Sequence, residues 1–269
     1  PSGEIAYLKQ GEKMLDRKIT VMMPAYNEEK DLPGLLDRIQ SAMSEWTNNY
    51  QILVVDDGSH DRTAQIVNEA AARMPAKLIQ HPQNMGLGAA MRTGLKAAAQ
   101  DSDVVVTLDA DNSQDPMLIK SMVERLGEGF DVVIASRFQP GAQEIGVPPF
   151  RIFLSHVASA GIRTLVGYQG VRDYTCGFRA YKAETLRHLI QTFGDHFIRE
   201  NGFSCMFELL LNLRSLNARA SEIPLILRYD LKEGASKMRI LRTMWRYVVT
   251  LTRGYLPISW RVDPKRSGA

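Results

Sequence analysis

The sequence is poor in cysteine, in histidine and in long apolar runs. Two cysteines, Cys176 and Cys205, occur in 269 residues. That excludes a disulfide scaffold and most structural zinc sites, and it agrees with a reducing compartment such as the cytosol. No His/Cys cluster offers zinc-type ligands. No stretch approaches the ~18 apolar residues of a membrane-spanning helix. The best candidate, residues 152–168, is interrupted by His156 and Arg163, and Glu4, Lys9, Glu12 and Lys13 break any signal-like segment. The chain is therefore read as one that does not cross a membrane but can lie on one. No G-x-x-x-x-G-K-[ST] loop occurs. The glycine segment at Gly86 and Gly88 fails G-x-G-x-x-G/A because Met91 takes the last place, and it follows a third strand instead of a first. Nicotinamide dinucleotide enzymes and P-loop NTPases are thereby set aside. With 33 basic against 30 acidic residues, the net charge of +3 is too mild to argue for nucleic acid.

Alternation is what the sequence does have. Short apolar runs at 19–23, 52–55, 77–80, 104–108 and 132–135 read as strands. Between them, apolar residues recur at helical spacing, as in Leu32, Leu35, Leu36, Ile39, Met43 and Trp46, or Leu118, Ile119, Met122, Val123 and Leu126. Such alternation implies βαβ units: an α/β fold with a Rossmann-like, mostly parallel sheet flanked by helices. The second half is less regular. It holds a Gly/Pro-rich loop at 139–149, helical patterns near 152–166, 183–192 and 203–216, a strand-like run at 223–229 and a basic helix near 238–253.

Polar residues gather where the strands should end: Pro24-Ala25-Tyr26-Asn27-Glu28, Asp56-Asp57-Gly58-Ser59, Asp109-Ala110-Asp111 and Ser136-Arg137-Phe138. Ligands of open parallel sheets bind outside the carboxyl ends of the strands. Asp57-Gly58 alone could be a turn, and Asp109-x-Asp111 alone a polar loop end. Four such features on one sheet edge are hard to dismiss. Asp109 and Asp111 are hard oxygen donors, and Mg²⁺ or Mn²⁺ held by few carboxylates and completed by a nucleotide diphosphate fits them.

Taken together, these segments resemble family 2 glycosyltransferases of the GT-A nucleotide-sugar fold. Within them the chain looks like the dolichol-phosphate mannose synthase group, the polyprenyl-phosphate glycosyltransferases. The resemblance runs from about Ile19 to Arg246. VMMPAYNEEKDLP, ILVVDDGSHDRT, NMGLGAAMRTG and TLDADNSQDP carry the broad family; VIASRF, RDYTCGFRAY and EGASKM carry the narrower group. It implies that Pro24, Tyr26 and Glu28 form the first nucleotide-binding segment and that Val55 and Asp57 contact base and ribose. It assigns Asp109, Ala110 and Asp111 to the metal and diphosphate motif. Ser113 and Gln114 would stand beside the metal, Gln114 where His is common. Arg137 and Arg151 match arginines that hold an acceptor phosphate, with Arg179 a further candidate. Arg228 and Lys237 match basic residues that close over the diphosphate. The catalytic set is then Asp109, Asp111, Arg137 and Arg151.

Two further absences bear on the acceptor. The Q-x-x-R-W of processive polysaccharide synthases does not occur, nor does an adjacent Glu-Asp pair that could supply a base. A hydroxyl nucleophile needs its proton removed, whereas a phosphate monoester is already charged and needs positioning. The expected activity is metal-dependent, inverting transfer of a hexose, mannose ahead of glucose, from GDP-mannose or UDP-glucose to a dolichyl or undecaprenyl phosphate. The alternatives are transfer to a sugar hydroxyl of a glycan, and an inactive nucleotide-sugar-binding scaffold.

The expected layout is an N-terminal extension (1–18), the GT-A domain (19–236), a basic amphipathic helix (237–256) and a tail (257–269). Arg239, Arg242, Arg246 and Arg253 fall on one arc of that helix, opposite Ile240, Leu241, Met244, Val248 and Leu251. Either it lies on a membrane, or its apolar side packs on the domain and the arginines are solvated. The place expected for the protein is the cytoplasmic face of a membrane, with a homo-oligomer or a membrane partner subunit as a further partner and no nucleic acid.

Overall fold

A computed structural model describes residues 16–233 and 240–254. Its first half follows the expected alternation: β1 (Ile19–Ala25), α1 (Leu32–Ser44), β2 (Tyr50–Asp56), α2 (Thr63–Ala70), β3 (Ala76–Gln80), α3 (Leu87–Asp101), β4 (Val104–Thr107), α4 (Leu118–Gly127) and β5 (Val132–Ser136). The strands are apolar on both faces because helices cover both: every residue of β4 and β5 is buried. The helices turn their periodic apolar residues inward, in α1 Leu32, Leu35, Leu36, Ile39, Ala42 and Met43.

The second half departs from simple alternation. It runs β6 (Gln143–Ile145), α5 (Pro149–Val166), β7 (Arg179–Lys182), α6 (Ala183–Phe193), α7 (Cys205–Ser215), β8 (Ala220–Pro224), β9 (Ile226–Arg228) and α8 (Ile240–Gly254). The main sheet has seven strands in the order β3-β2-β1-β4-β7-β5-β8. All neighbours in it are parallel except β7, which inserts antiparallel between β4 and β5 and sets Arg179 opposite both Thr107 and Ile134. β7 is not visible as a strand in the sequence, because it is short and lies inside a segment that reads as a ligand motif. The run 223–229 is not one strand. It breaks at buried Leu225, leaving β8 in the main sheet and β9 paired with β6 in a second, two-stranded sheet.

α8 packs on α7, with Tyr247 edge-on to Phe207 at 5.7 Å between ring centroids. Its arginines are not merely solvated, as one reading of the helical wheel had them. Arg246 forks onto buried Glu200 and Arg253 reaches the same carboxylate at 3.3 Å, so these arginines face the domain. Trp245 and Val248 point outward. A buried carboxylate outweighs the wheel here, because leaving Glu200 unpaired costs more than exposing a valine. The N-terminal extension and the tail lie almost wholly outside the described residues. No helix among the described residues is long and apolar enough to cross a membrane.

Candidate active site

Parallel strands β1, β2, β4 and β5 end on one edge of the sheet, and β7 begins there. The loops after β1 and β2 are laced together. Asn27 N donates to Ser59 Oγ at 2.8 Å, Glu28 N to Thr63 Oγ1 at 2.9 Å and Glu29 N to Asp61 Oδ2 at 3.1 Å. Asn27 takes a left-handed φ of 51°, a conformation asparagine tolerates better than most residues. Pro24, Tyr26 and Glu28 are thereby held half-buried at the lip of the edge.

The two residues expected at base and ribose lie deeper than the lip. The Val55 side chain is fully buried in the core, so it does not face the edge. Asp57 is buried with both oxygens taken: Oδ1 accepts from Met85 N at 3.0 Å and pairs with His81 Nδ1 at 2.7 Å, and Oδ2 accepts from Gly86 N at 2.8 Å. Its role is to fasten the glycine segment. That segment also explains itself, since a Cβ on Gly88 would lie 1.7 Å from Glu200 O. The G-x-G allows close backbone packing here.

The loop after β4 carries the acidic pair. Gln114 grips Asp109 at both ends of its amide: Asp109 N donates to Gln114 Oε1 at 3.0 Å, and Gln114 Nε2 donates to Asp109 Oδ2 at 2.6 Å. Ser113 donates twice to Asp111 Oδ1, from its backbone N at 3.2 Å and its hydroxyl at 2.6 Å. Ser113 and Gln114, expected beside the metal, are therefore buried residues that orient the carboxylates. Buried Ala110 sits between them. Gly177, two residues before β7, makes room for Asp109: a Cβ there would stand 2.9 Å from Asp109 Oδ1. Burial, then the charge of Asp111, raises the Asp109 carboxyl to about 7, with Glu28 adding to the rise and Lys232 and Gln114 opposing it. Burial and the neighbouring Asp111 thus disfavour an ionised Asp109, and hard oxygen donors placed in this way fit a divalent cation.

Lys232 is the residue the sequence reading missed. Its Nζ lies 2.5 Å from Asp111 Oδ2 with the side chain only 12% exposed. Arg228, expected over the diphosphate, instead forks onto Asp230 at the surface, with Nε and Nη2 at 2.9 and 2.8 Å. Lys237 lies outside the described residues. The signal for Lys232 was weak: a lone lysine just before EGASKM, 121 residues from its partner.

Arg137 follows β5. Its Nε and Nη2 each donate to Asp173 at 2.8 Å, and Nη2 also donates to Thr175 Oγ1 at 2.6 Å. Burial alone would raise the Asp173 carboxyl; the Arg137 charge and hydrogen bonds overcome it and hold Asp173 at about 2. Arg137 is raised correspondingly against its own burial. Glu222 fixes the turn by accepting from Arg172 N and Asp173 N, both at 2.6 Å. Arg179 is a correction: it is fully buried, donating to Met206 O at 2.7 Å and Tyr174 O at 3.0 Å, and cannot meet an acceptor phosphate. Arg151 lies on α5, and its side chain is outside what is described. A small pocket opens beside Asp109, between Pro24, Thr107, Gly177, Phe203 and Met206.

A sequence profile of the family described as glycosyl transferase family 2 matches residues 20–190. The chain belongs to that family. It is 31% identical over 208 residues to a dolichol-phosphate mannosyltransferase of Pyrococcus furiosus, covering 77% of this chain and 55% of the relative. It thus spans about half the length of that relative. It is also 31% identical over 245 residues to an undecaprenyl-phosphate mannosyltransferase of Micrococcus luteus, covering 90% of this chain and 96% of the other. Among solved structures, glucosyl-3-phosphoglycerate synthase from Mycobacterium tuberculosis, determined with Mn²⁺, UDP and glucosyl-3-phosphoglycerate, superposes with a TM-score of 0.66 at 22% identity. That match covers 96% of this chain and 85% of the other, and supports the GT-A fold.

Proposed function

We propose that this family 2 protein transfers a hexose, mannose in first place and glucose in second, from a nucleoside diphosphate sugar to a polyprenyl phosphate. One observation carries the reading: a single segment, residues 173–177, touches both charged clusters. Asp173 and Thr175 hold Arg137, while Gly177 lies against Asp109. Arg137 and the acidic pair are thereby kept at neighbouring points of one edge. Nη1 of Arg137 has no hydrogen-bond partner among the described residues and is the donor left for an acceptor phosphate.

Asp109 and Asp111 would hold a divalent metal, Mg²⁺ or Mn²⁺. When bound, that ion would neutralise charge on the departing diphosphate. Pro24, Tyr26 and Glu28 line the donor side. Arg137, with Arg151 in support, aims a phosphate oxygen at the anomeric carbon. The new C–O bond forms as the bond to the nucleoside diphosphate breaks, with inversion, and the diphosphate leaves with the electron pair. A phosphate nucleophile needs no proton removed, so this route asks for no general base.

A membrane surface fits the same edge. Tyr247 of α8 lies within range of the Arg137 and Asp173 charges, and Phe138, next to Arg137, meets His156 of α5 edge-on at 4.8 Å. Both helices expose apolar side chains, Phe150, Val157 and Leu165 on α5 and Trp245 and Val248 on α8. A lipid-linked acceptor would reach Arg137 from that side, on the cytoplasmic face where nucleotide sugars are met. The relatives named for dolichol phosphate and undecaprenyl phosphate favour such an acceptor.

The deciding experiment supplies labelled GDP-mannose or UDP-glucose with dolichyl or undecaprenyl phosphate, in Mn²⁺, Mg²⁺ or EDTA. Metal-dependent transfer to the lipid is expected from one donor. Transfer only to a glycan hydroxyl, or none despite tight nucleotide binding, would overturn the reading.

A further inference from the structure

Lys232 is half-buried yet belongs to no element. Residues 229–231 form a single 3-10 turn after β9, and the chain then crosses the acidic loop. That crossing is fastened on both sides of the lysine. Upstream, Arg228 N donates to Ser113 O at 2.7 Å and Leu227 bridges to Gln114. Downstream, Glu233 N donates to Asp31 Oδ1 at 2.9 Å. The backbone is therefore tied to the metal loop and to the first nucleotide-binding loop at once, while the lysine reaches Asp111 on a flexible four-carbon stem.

Asp111 cannot serve two cations equally. Its Oδ1 already accepts the Ser113 hydroxyl and its Oδ2 takes the ammonium at 2.5 Å. A divalent ion on the same carboxylate would sit close enough to the ammonium for the two to repel strongly. The two therefore compete for that carboxylate. A lysine displaced from Asp111 but still tied at Arg228 and Glu233 would be available to a diphosphate that arrives with the metal.

From this arrangement we infer that Lys232 is a tethered counter-cation: it neutralises Asp111 in the unloaded protein, opposes binding of a divalent metal alone, and passes to the diphosphate when metal and nucleotide bind together. The inference rests on the function proposed above for the identity of the two ligands. It makes Lys232 the source of coupling between them, because each ligand relieves a cost the other would bear alone.

The test is Mn²⁺ binding to the full chain, read from the electron paramagnetic resonance signal of free Mn²⁺, with and without GDP or UDP. In Lys232→Gln, Mn²⁺ alone should bind about tenfold tighter than in the wild type, and the enhancement of Mn²⁺ binding by nucleotide should shrink by a similar factor. Lys232→Arg should keep the wild-type pattern, which separates charge from packing. Unchanged or weaker Mn²⁺ affinity in Lys232→Gln without nucleotide would overturn the inference. So would Mn²⁺ binding that survives Asp111→Asn, since the ion would then sit elsewhere. If the wild type bound nucleotide but never Mn²⁺, the metal-dependent function would fail as well; intact Mn²⁺–nucleotide binding with an indifferent Lys232 would overturn this inference alone.

Discussion

Asp109 and Asp173 stand at the same sheet edge, joined through residues 173–177, yet their carboxyls are displaced in opposite directions. Asp109 is raised to about 7 and Asp173 is held at about 2. Burial acts on both in the same sense, so the difference lies in their partners. Asp173 has a guanidinium bound at two points, Thr175 N and Cys176 N as further donors, and a turn fixed by Glu222. Asp109 has the neutral amide of Gln114 and a carboxylate neighbour, and the nearest ammonium is spent on Asp111. One cluster is electrostatically complete; the other is short of positive charge. A site completed by a ligand looks like the second, and a frame that holds such a site in place looks like the first.

That contrast can be broken by substitution. The largest effect is expected at Asp111→Asn, which should lower transfer by about 10³-fold or more while nucleotide binding in EDTA is kept; a sugar-transfer assay beside calorimetry checks it. Asp173→Asn should instead act on stability, costing about 3 kcal/mol by stranding the Arg137 guanidinium, visible as a lower melting temperature. The pH dependence of the wild type carries the same signature. A carboxyl depressed from 3.8 to about 2 contributes fully above about pH 4. That contribution, about 2 kcal/mol, is lost as pH falls toward 2. Asp173→Asn should flatten this acid limb in urea melts. Asp109→Asn should do the reverse of Asp173→Asn, raising metal-free stability at pH 8 by on the order of 1 kcal/mol, because an ionised Asp109 is disfavoured there. The smallest stability effect, within about 0.5 kcal/mol, is expected for Trp245→Ser with Val248→Ser. That pair should nevertheless reduce sedimentation with anionic vesicles.

Legibility followed the range of the interactions. The acidic pair was readable because Asp109 and Asp111 follow an apolar run that can only be a buried strand. Arg137 was readable for the same reason at the end of β5. Arg179 was misread since its motif resembles a ligand segment, while its place in β7 between β4 and β5 sends it into the core. Val55 and Asp57 sit at a strand end as expected. Helices cover both faces of β2 and so bury Val55, and the glycine segment claims the carboxylate of the other. Arg246 and Arg253 were placed on an outer face because a helical wheel records amphipathicity but not the carboxylate, Glu200, that waits across the interface.

By itself, then, the sequence determined the α/β alternation, the buried parallel strands and the acidic residues at their carboxyl ends. Each depends on periodicity and turn chemistry within a dozen residues. Only the tertiary structure decided the antiparallel insertion of β7, the pairing of Arg137 with Asp173 and the reach of Lys232 to Asp111. Those contacts join residues 36 to 121 positions apart. No local pattern encodes them, because the partners meet only after the sheet has closed, and only that meeting offsets the cost of burying their charges.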